Sequence, residues 1–145
     1  MRHHPRRTRC SGCGRTHVLL AASMLLRRAD GVALIGAALL AKAAGAGHRT
    51  IAAGNGRPAS TVRGWLRRFG GRAEELRVLF TGLLHELDAS AGSLLPTGSG
   101  VSDALAAVGA AAAAAVRLFG PRCPWQFTAA ACGGLLLGPV ALGGR

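Results

Sequence analysis

The chain has 145 residues and a formal charge of +12, with seventeen arginines against one lysine, Lys42. That length allows one domain, or one small domain with an appendage. Tyrosine is absent and only six aromatic side chains occur, so a core has to be made of Leu, Ala and Val. This argues against strands, which favour β-branched and aromatic residues, and for an all-α fold.

The charge is uneven. Residues 1–88 carry fifteen basic and five acidic side chains, and residues 89–145 carry three and one. Such asymmetry suits an N-terminal part that meets a polyanion and a C-terminal part with another role. A GC-rich coding sequence, which inflates Arg, Ala and Gly together, is the plainer explanation of the same numbers. Four cysteines do not form a disulfide framework: Cys10 and Cys13 are close together, while Cys123 and Cys132 lie far away among apolar neighbours and read as buried small hydrophobes. The first apolar run, Val18 to Leu26, follows a basic head and is followed by Arg27-Arg28 rather than a cleavage site. These features point to a reducing, cytoplasmic compartment.

In chain order, residues 1–30 read as a basic tail holding a Cys-x-x-Cys knuckle. A first helix is expected over 31–45, with Val32, Ile35, Leu39 and Ala43 on one stripe and Gly45 and Gly47 as its stop. A short helix over 48–54, a turn at 54–57 and a helix over 59–69 follow. Residues 72–88 form the most clearly amphipathic stretch, with Leu76, Leu79, Phe80, Leu83, Leu84 and Leu87 sharing a face. Its first turn holds Glu74 and Glu75, where a helix favours acids. Together 31–88 make a three-helix core with a further amphipathic helix. The Gly/Ser/Pro-rich stretch 89–100 reads as a linker and domain boundary. GSG at 98–100 is the start of the next helix rather than a phosphate-binding turn, because no strand or lysine accompanies it.

Beyond the linker, 101–145 reads as an apolar helical segment. A helix over 101–119 carries Val101, Leu105, Val108, Val116 and Phe119 on one side, and another runs over 125–137. Ala104 to Val116 is too short to cross a bilayer. Cys123 to Gly144 is long enough, but Pro124, Gly133, Gly134, Gly138 and Pro139 interrupt it, which argues against a span.

The stretch IAAGNGRPASTVRGWLRR, residues 51–68, carries the sharpest functional signal. A DNA-reading helix-turn-helix needs a small residue where its helices cross, a turn residue tolerating positive φ, and two apolar anchors on the second helix. Ile51, Ala52, Gly56, Val62 and Trp65 occupy those five positions. On the second helix Val62, Trp65, Leu66 and Phe69 fall on one face, and Ser60, Thr61, Arg63, Gly64, Arg67 and Arg68 on the other. Arginine can bond a guanine edge with two donors, and Ser or Thr can bond bases or phosphates. Gly64 would let the helix approach the bases, while Arg49, Arg57 and the basic tail would hold phosphates. The plainer reading is a solvated basic face. One departure stands out: Gly54-Asn55 precedes Gly56 where a bulky apolar residue is usual, so the first helix of the pair is expected to fray.

Cys10-Ser-Gly-Cys13-Gly14 has the form of a zinc knuckle, two thiolates brought to one ion by a tight turn. It supplies two of four ligands. His3, His4 and His17 are the nearest further candidates, and unligated thiols are the alternative. No acid lies near enough to make a catalytic zinc.

RTRCSGCGRTHVLL followed by GAGHRTIAAGNGRPASTVRGWLRRF resembles an actinobacterial family of uncharacterised zinc-ribbon plus helix-turn-helix proteins. That family is in turn similar to the N-terminal DNA-binding regions of insertion-sequence transposases. The likeness covers about residues 6–88. It implies DNA binding, transposase-related or regulatory. It also implies a second Cys-x-x-Cys pair upstream of Cys10; Met1 falls where the connecting segment belongs, so the chain reads as N-terminally truncated. Transposases of that kind cut DNA with spaced carboxylates that hold two metal ions. After residue 88 only Asp103 is acidic, so no enzymatic activity is expected, and His85 reads as a surface residue. The expected partners are double-stranded DNA and a second copy through 72–88 or 101–145, with no small-molecule substrate. The alternatives are a membrane-associated or protein-interaction module and a non-functional transposon remnant.

Overall fold

A computed structural model describes residues 6–19, 21, 23–25 and 30–138, with the side chains of residues 17–19 left aside. The fold is mostly helical, as the composition requires. It comprises a hairpin of β1 (Arg6–Arg9) and β2 (Thr16–Leu19), then helices α1 (Val32–Ala43), α2 (His48–Asn55), α3 (Ala59–Gly71), α4 (Ala73–Leu87), α5 (Gly100–Phe119) and α6 (Pro124–Ala131).

Helices α1, α2 and α3 pack on one another. Val32, Ile35 and Leu39 of α1 are buried as their spacing predicts, whereas Ala43 is exposed because α1 ends there. Met24 and Leu25 join the interior beneath α1, tied by a backbone bond from Val32 N–H to the Ser23 carbonyl at 2.8 Å. Trp125 of α6 lies against Gly36 of α1 so closely that a Cβ there would stand 2.1 Å from its ring. The single missing methyl is what admits the indole.

Helices α4 and α5 form the largest packed pair, and they run parallel. Gly100 at the start of α5 lies beside Ala73 at the start of α4, and Arg117 near the end of α5 bonds Asp88 just past the end of α4 at 3.2 Å. Residues 88–99 therefore return along the pair. They are irregular, as their composition suggests, yet one continuous core runs from Leu25 to Leu137 on both sides of them. α5 contributes Ala104, Ala107, Ala111 and Ala114, all buried. Small side chains at that spacing let the helix approach Leu76, Phe80 and Leu84 of α4 closely.

Several expected core positions face outward. Leu79 is 42% exposed and Phe119 62% exposed; the Leu-rich face of α4 is wider than the surface α5 covers, and Phe119 lies on the last turn of α5. There the Arg122 guanidinium sits 5.3 Å from the Phe119 ring centre. α6 stops at Ala131, earlier than the expected 137, because a bond from Gly134 N–H to the Ala129 carbonyl at 2.7 Å turns the chain back. Leu136 and Leu137 then enter the core from that turn. Of the apolar run Cys123–Gly144, residues 139–144 lie outside the described residues. α5, by contrast, is long and apolar enough to cross a membrane, while nearly half of it is buried in this fold.

Arg72, at the corner between α3 and α4, is 6% exposed. Its Nε and Nη2 grip the Glu75 carboxylate at 3.0 and 2.7 Å, and its Nη1 donates to the Leu135 carbonyl. One guanidinium thus fastens the α3–α4 corner to the turn after α6.

Two outcomes follow from this packing. Gly36→Ala gains about 1 kcal/mol of helix propensity but overlaps Trp125, at a cost of about 1–3 kcal/mol for an overpacked site; a lower urea midpoint is expected, and a raised one would mean Trp125 does not need the gap. Arg72→Met should cost about 2 kcal/mol near neutral pH, the usual worth of hydrogen bonds to a charged group. The Arg72 bonds hold the Glu75 carboxyl below its ordinary value of 4.5. Stability from that pair is therefore present above 4.5 and lost as pH falls through the lowered native value. Thermal melts should show the wild-type advantage over Arg72→Met shrinking in acid; an advantage independent of pH would assign the cost to packing instead.

Candidate nucleic-acid interface

The α2–α3 unit is built from its turn outward. α2 buries Ile51 and Ala52 against α1 and α3. Its end is closed by two backbone bonds, from Arg57 N–H to the Ala52 carbonyl at 3.1 Å and from Gly56 N–H to the Ala53 carbonyl at 3.4 Å. This pattern needs a left-handed residue just after the cap, and Gly56 takes it at φ 61°, ψ 36°. The closure keeps α2 helical through Asn55 despite Gly54, so the fraying expected from Gly54-Asn55 does not occur. Gly54 is exposed and Asn55 only half-buried, which is why neither needs to be a bulky apolar residue.

Pro58 opens α3, accepting from Thr61 N–H and Val62 N–H at 3.0 and 3.2 Å. Val62, Trp65 and Phe69 are buried and Leu66 half-buried, one face at helical spacing. Ser60, Arg63, Arg67 and Arg68 are exposed on the other side, with Thr61 and Gly64 half-buried beside them. Arg68 folds back one turn: its Nη1 lies 3.3 Å from where a Gly64 Cβ would stand. The space expected to serve as an approach path at Gly64 is thus filled by a guanidinium, which adds charge to that face. Arg49 is exposed on α2.

Arg57 differs from the rest. Its Nε bonds the Asp30 carboxylate at 2.6 Å, which fastens the α2–α3 turn to the segment entering α1 and cancels the charge. Arg49, Arg63, Arg67 and Arg68 take no part in any ion pair among the described residues. The Asp30–Arg57 pair spans 27 residues, and nothing local signals it.

The hairpin is a second basic element. Its register pairs Arg6 with Leu19 and Arg9 with Thr16. The turn is closed by Cys10 N–H to the Arg15 carbonyl at 2.8 Å and Gly14 N–H to the Cys10 carbonyl at 2.9 Å. Arg6, Arg7, Arg9 and Arg15 are exposed, and among the described residues no helix packs against either strand.

Cys10 and Cys13 stand at the hairpin tip, Cys10 half-buried and Cys13 exposed. The backbone amides of Cys13 and Gly12, with the Cys13 thiol beside them, hold the Cys10 thiol below its ordinary value. Amides directed at sulfur favour the thiolate, the form in which a cysteine can ligate a metal. Among the described residues no third Cys, His, Asp or Glu joins them. His3 and His4 lie outside the described residues, as does the side chain of His17. The other cysteines differ from expectation. Cys132 is half-buried, its Sγ donates to the Ala129 carbonyl at 3.5 Å, and burial pushes its thiol up. Cys123 is exposed rather than buried, because it caps α6 from outside the core. His85 is exposed on α4, in keeping with a surface residue.

Gly56→Ala should cost about 1–2 kcal/mol, the strain of a left-handed residue carrying a Cβ, read as a lower denaturation midpoint with unchanged helical circular dichroism. An unchanged midpoint would mean the turn does not depend on that conformation. Comparison with protein-family models, with characterised proteins and with solved structures found no match to this chain, so the site rests on its own geometry.

Proposed function

We propose that this chain binds double-stranded DNA through α2 and α3, as a sequence-specific or semi-specific helix-turn-helix protein in a regulatory or transposase-related role. The observation that carries the reading is the division of α3. Val62, Trp65 and Phe69 anchor one face, and Ser60, Arg63, Arg67 and Arg68 stand exposed on the other, directly after the Gly56 turn. In this reading Arg63 and Arg67 meet base edges, Arg68 and Arg49 meet phosphates, and the hairpin arginines add sequence-independent affinity. Arg57 contributes through the turn it holds. A zinc ion at Cys10 and Cys13 would brace the hairpin.

Membrane association through α5 is the second reading. It is favoured by the length and apolar character of Gly100–Phe119, and it requires α5 to leave α4.

Fluorescence anisotropy with random duplex DNA over a salt series tests the first reading. Binding should weaken steeply with salt. An Arg63/Arg67/Arg68 triple-alanine variant should show a log–log slope shallower by about 0.9 for each phosphate left without its arginine. Equal slopes would mean that the charge acts diffusely and that α3 is only packing. Flotation of the full chain with vesicles in place of DNA binding would favour the second reading.

A further inference from the structure

Residues 1–73 hold fourteen basic side chains and a single acid, Asp30; the other five acids all lie from Glu74 onward. That one acid is committed to one cation. Its Oδ1 accepts from Arg57 Nε at 2.6 Å, and the same guanidinium reaches back through Nη1 to the Gly56 carbonyl at 3.4 Å.

Arg57 stands in the turn, one residue before Pro58 and three before Ser60. This is the end of α3 that a helix-turn-helix puts into the groove. An arginine there with its donors free would take a phosphate. Here the guanidinium is folded over the turn and drawn toward the segment entering α1. Arg49, Arg63, Arg67 and Arg68 carry no such restraint among the described residues.

Burial and charge together keep the pair closed when a polyanion approaches. The Asp30 side chain is 16% exposed, against 43% for Arg57. Were the guanidinium to move to a phosphate, the carboxylate would be left poorly hydrated and without its partner. The exchange forms one ion pair, breaks another, and adds a repulsion between Asp30 and the phosphates that the closed pair avoids.

We propose that Asp30 restrains sequence-independent DNA binding by holding Arg57 off the phosphate backbone. The inference rests on the DNA reading of α2 and α3, and it names the charge that limits how tightly that site takes any duplex. Asp30 acts through Arg57 and is a positioning residue.

The test is the salt dependence of binding to random duplex DNA, read by fluorescence anisotropy on the full chain. Wild type is compared with Asp30→Asn, Arg57→Ala and the double variant. Asp30→Asn keeps the shape of the side chain and removes its charge, which frees Arg57. Its log–log slope should be steeper than the wild type's by about 0.9, so its advantage grows about eightfold for each tenfold fall in salt. Arg57→Ala should keep the wild-type slope, and the double variant should return to it.

An ion pair that only supports the fold predicts something else: both single variants would lower the urea midpoint and neither would steepen the slope. An Asp30→Asn slope equal to the wild type's therefore overturns the proposal. So does a gain that persists in the double variant, since the acid would then repel DNA without acting through Arg57. A slope shallower by about 0.9 in Arg57→Ala would place Arg57 on a phosphate already and overturn it as well; that variant decides alone should Asp30→Asn misfold. Wild-type binding with any of these three results defeats the restraint and leaves the DNA reading standing. No wild-type binding to duplex DNA defeats both.

Discussion

Alanine sets the terms of this fold. It fills little volume, so an interior rich in it closes only if helix backbones come near one another. The buried alanines of α5 at 104, 107, 111 and 114 meet that condition along the whole of α4, where Leu76, Phe80 and Leu84 supply the bulk that α5 lacks. The same logic recurs where Gly36 admits Trp125. Large aromatic side chains are few, and the indole of Trp125 is admitted by the smallest residue available.

Five of the six acids are placed with equal consequence. Asp30, Glu74, Glu75 and Asp88 pair with Arg57, Arg77, Arg72 and Arg117. Asp103 accepts from Thr97 at the start of α5. Apart from Arg57, the arginines so neutralised lie on α4, on α5 and at the corner that precedes them. The outer face of α3 and the hairpin keep their charge. The positive field of the molecule is therefore set as much by where its few acids are placed as by its many arginines.

Much of the architecture is legible in the residues. Glycines at 45 and 56 mark helix ends, and the three-and-four spacing on α3 separates Val62, Trp65 and Phe69 from the arginines. Local pattern carries those features because they depend on neighbours within a turn or two. The rest depends on distant partners. Leu79 and Phe119 satisfy the periodicity yet face solvent, since periodicity does not give the width of the covering helix. Burial of Arg72 depends on Leu135, 63 residues away. The composition of 89–100 announces an irregular path but not its direction, and the direction joins the segments on either side into one core. At the candidate interface the anchors and the basic face are readable in the sequence, whereas the pairing of Arg57 with Asp30 and the fold-back of Arg68 over Gly64 are not.

The parallel course of α4 and α5 bears on how the chain reaches this structure. In an antiparallel pair, contacts beside the turn close short loops and the rest zip up behind them. Here the start of each helix meets the start of the other, and the bond between Asp88 and Arg117 at the far end spans 29 residues. Every meeting point along the seam closes a loop of nearly the same size, so none is entropically easier to make first. The second helix then has no favoured end from which to attach, so loop-closure entropy gives no reason for the pair to zip from one end to the other.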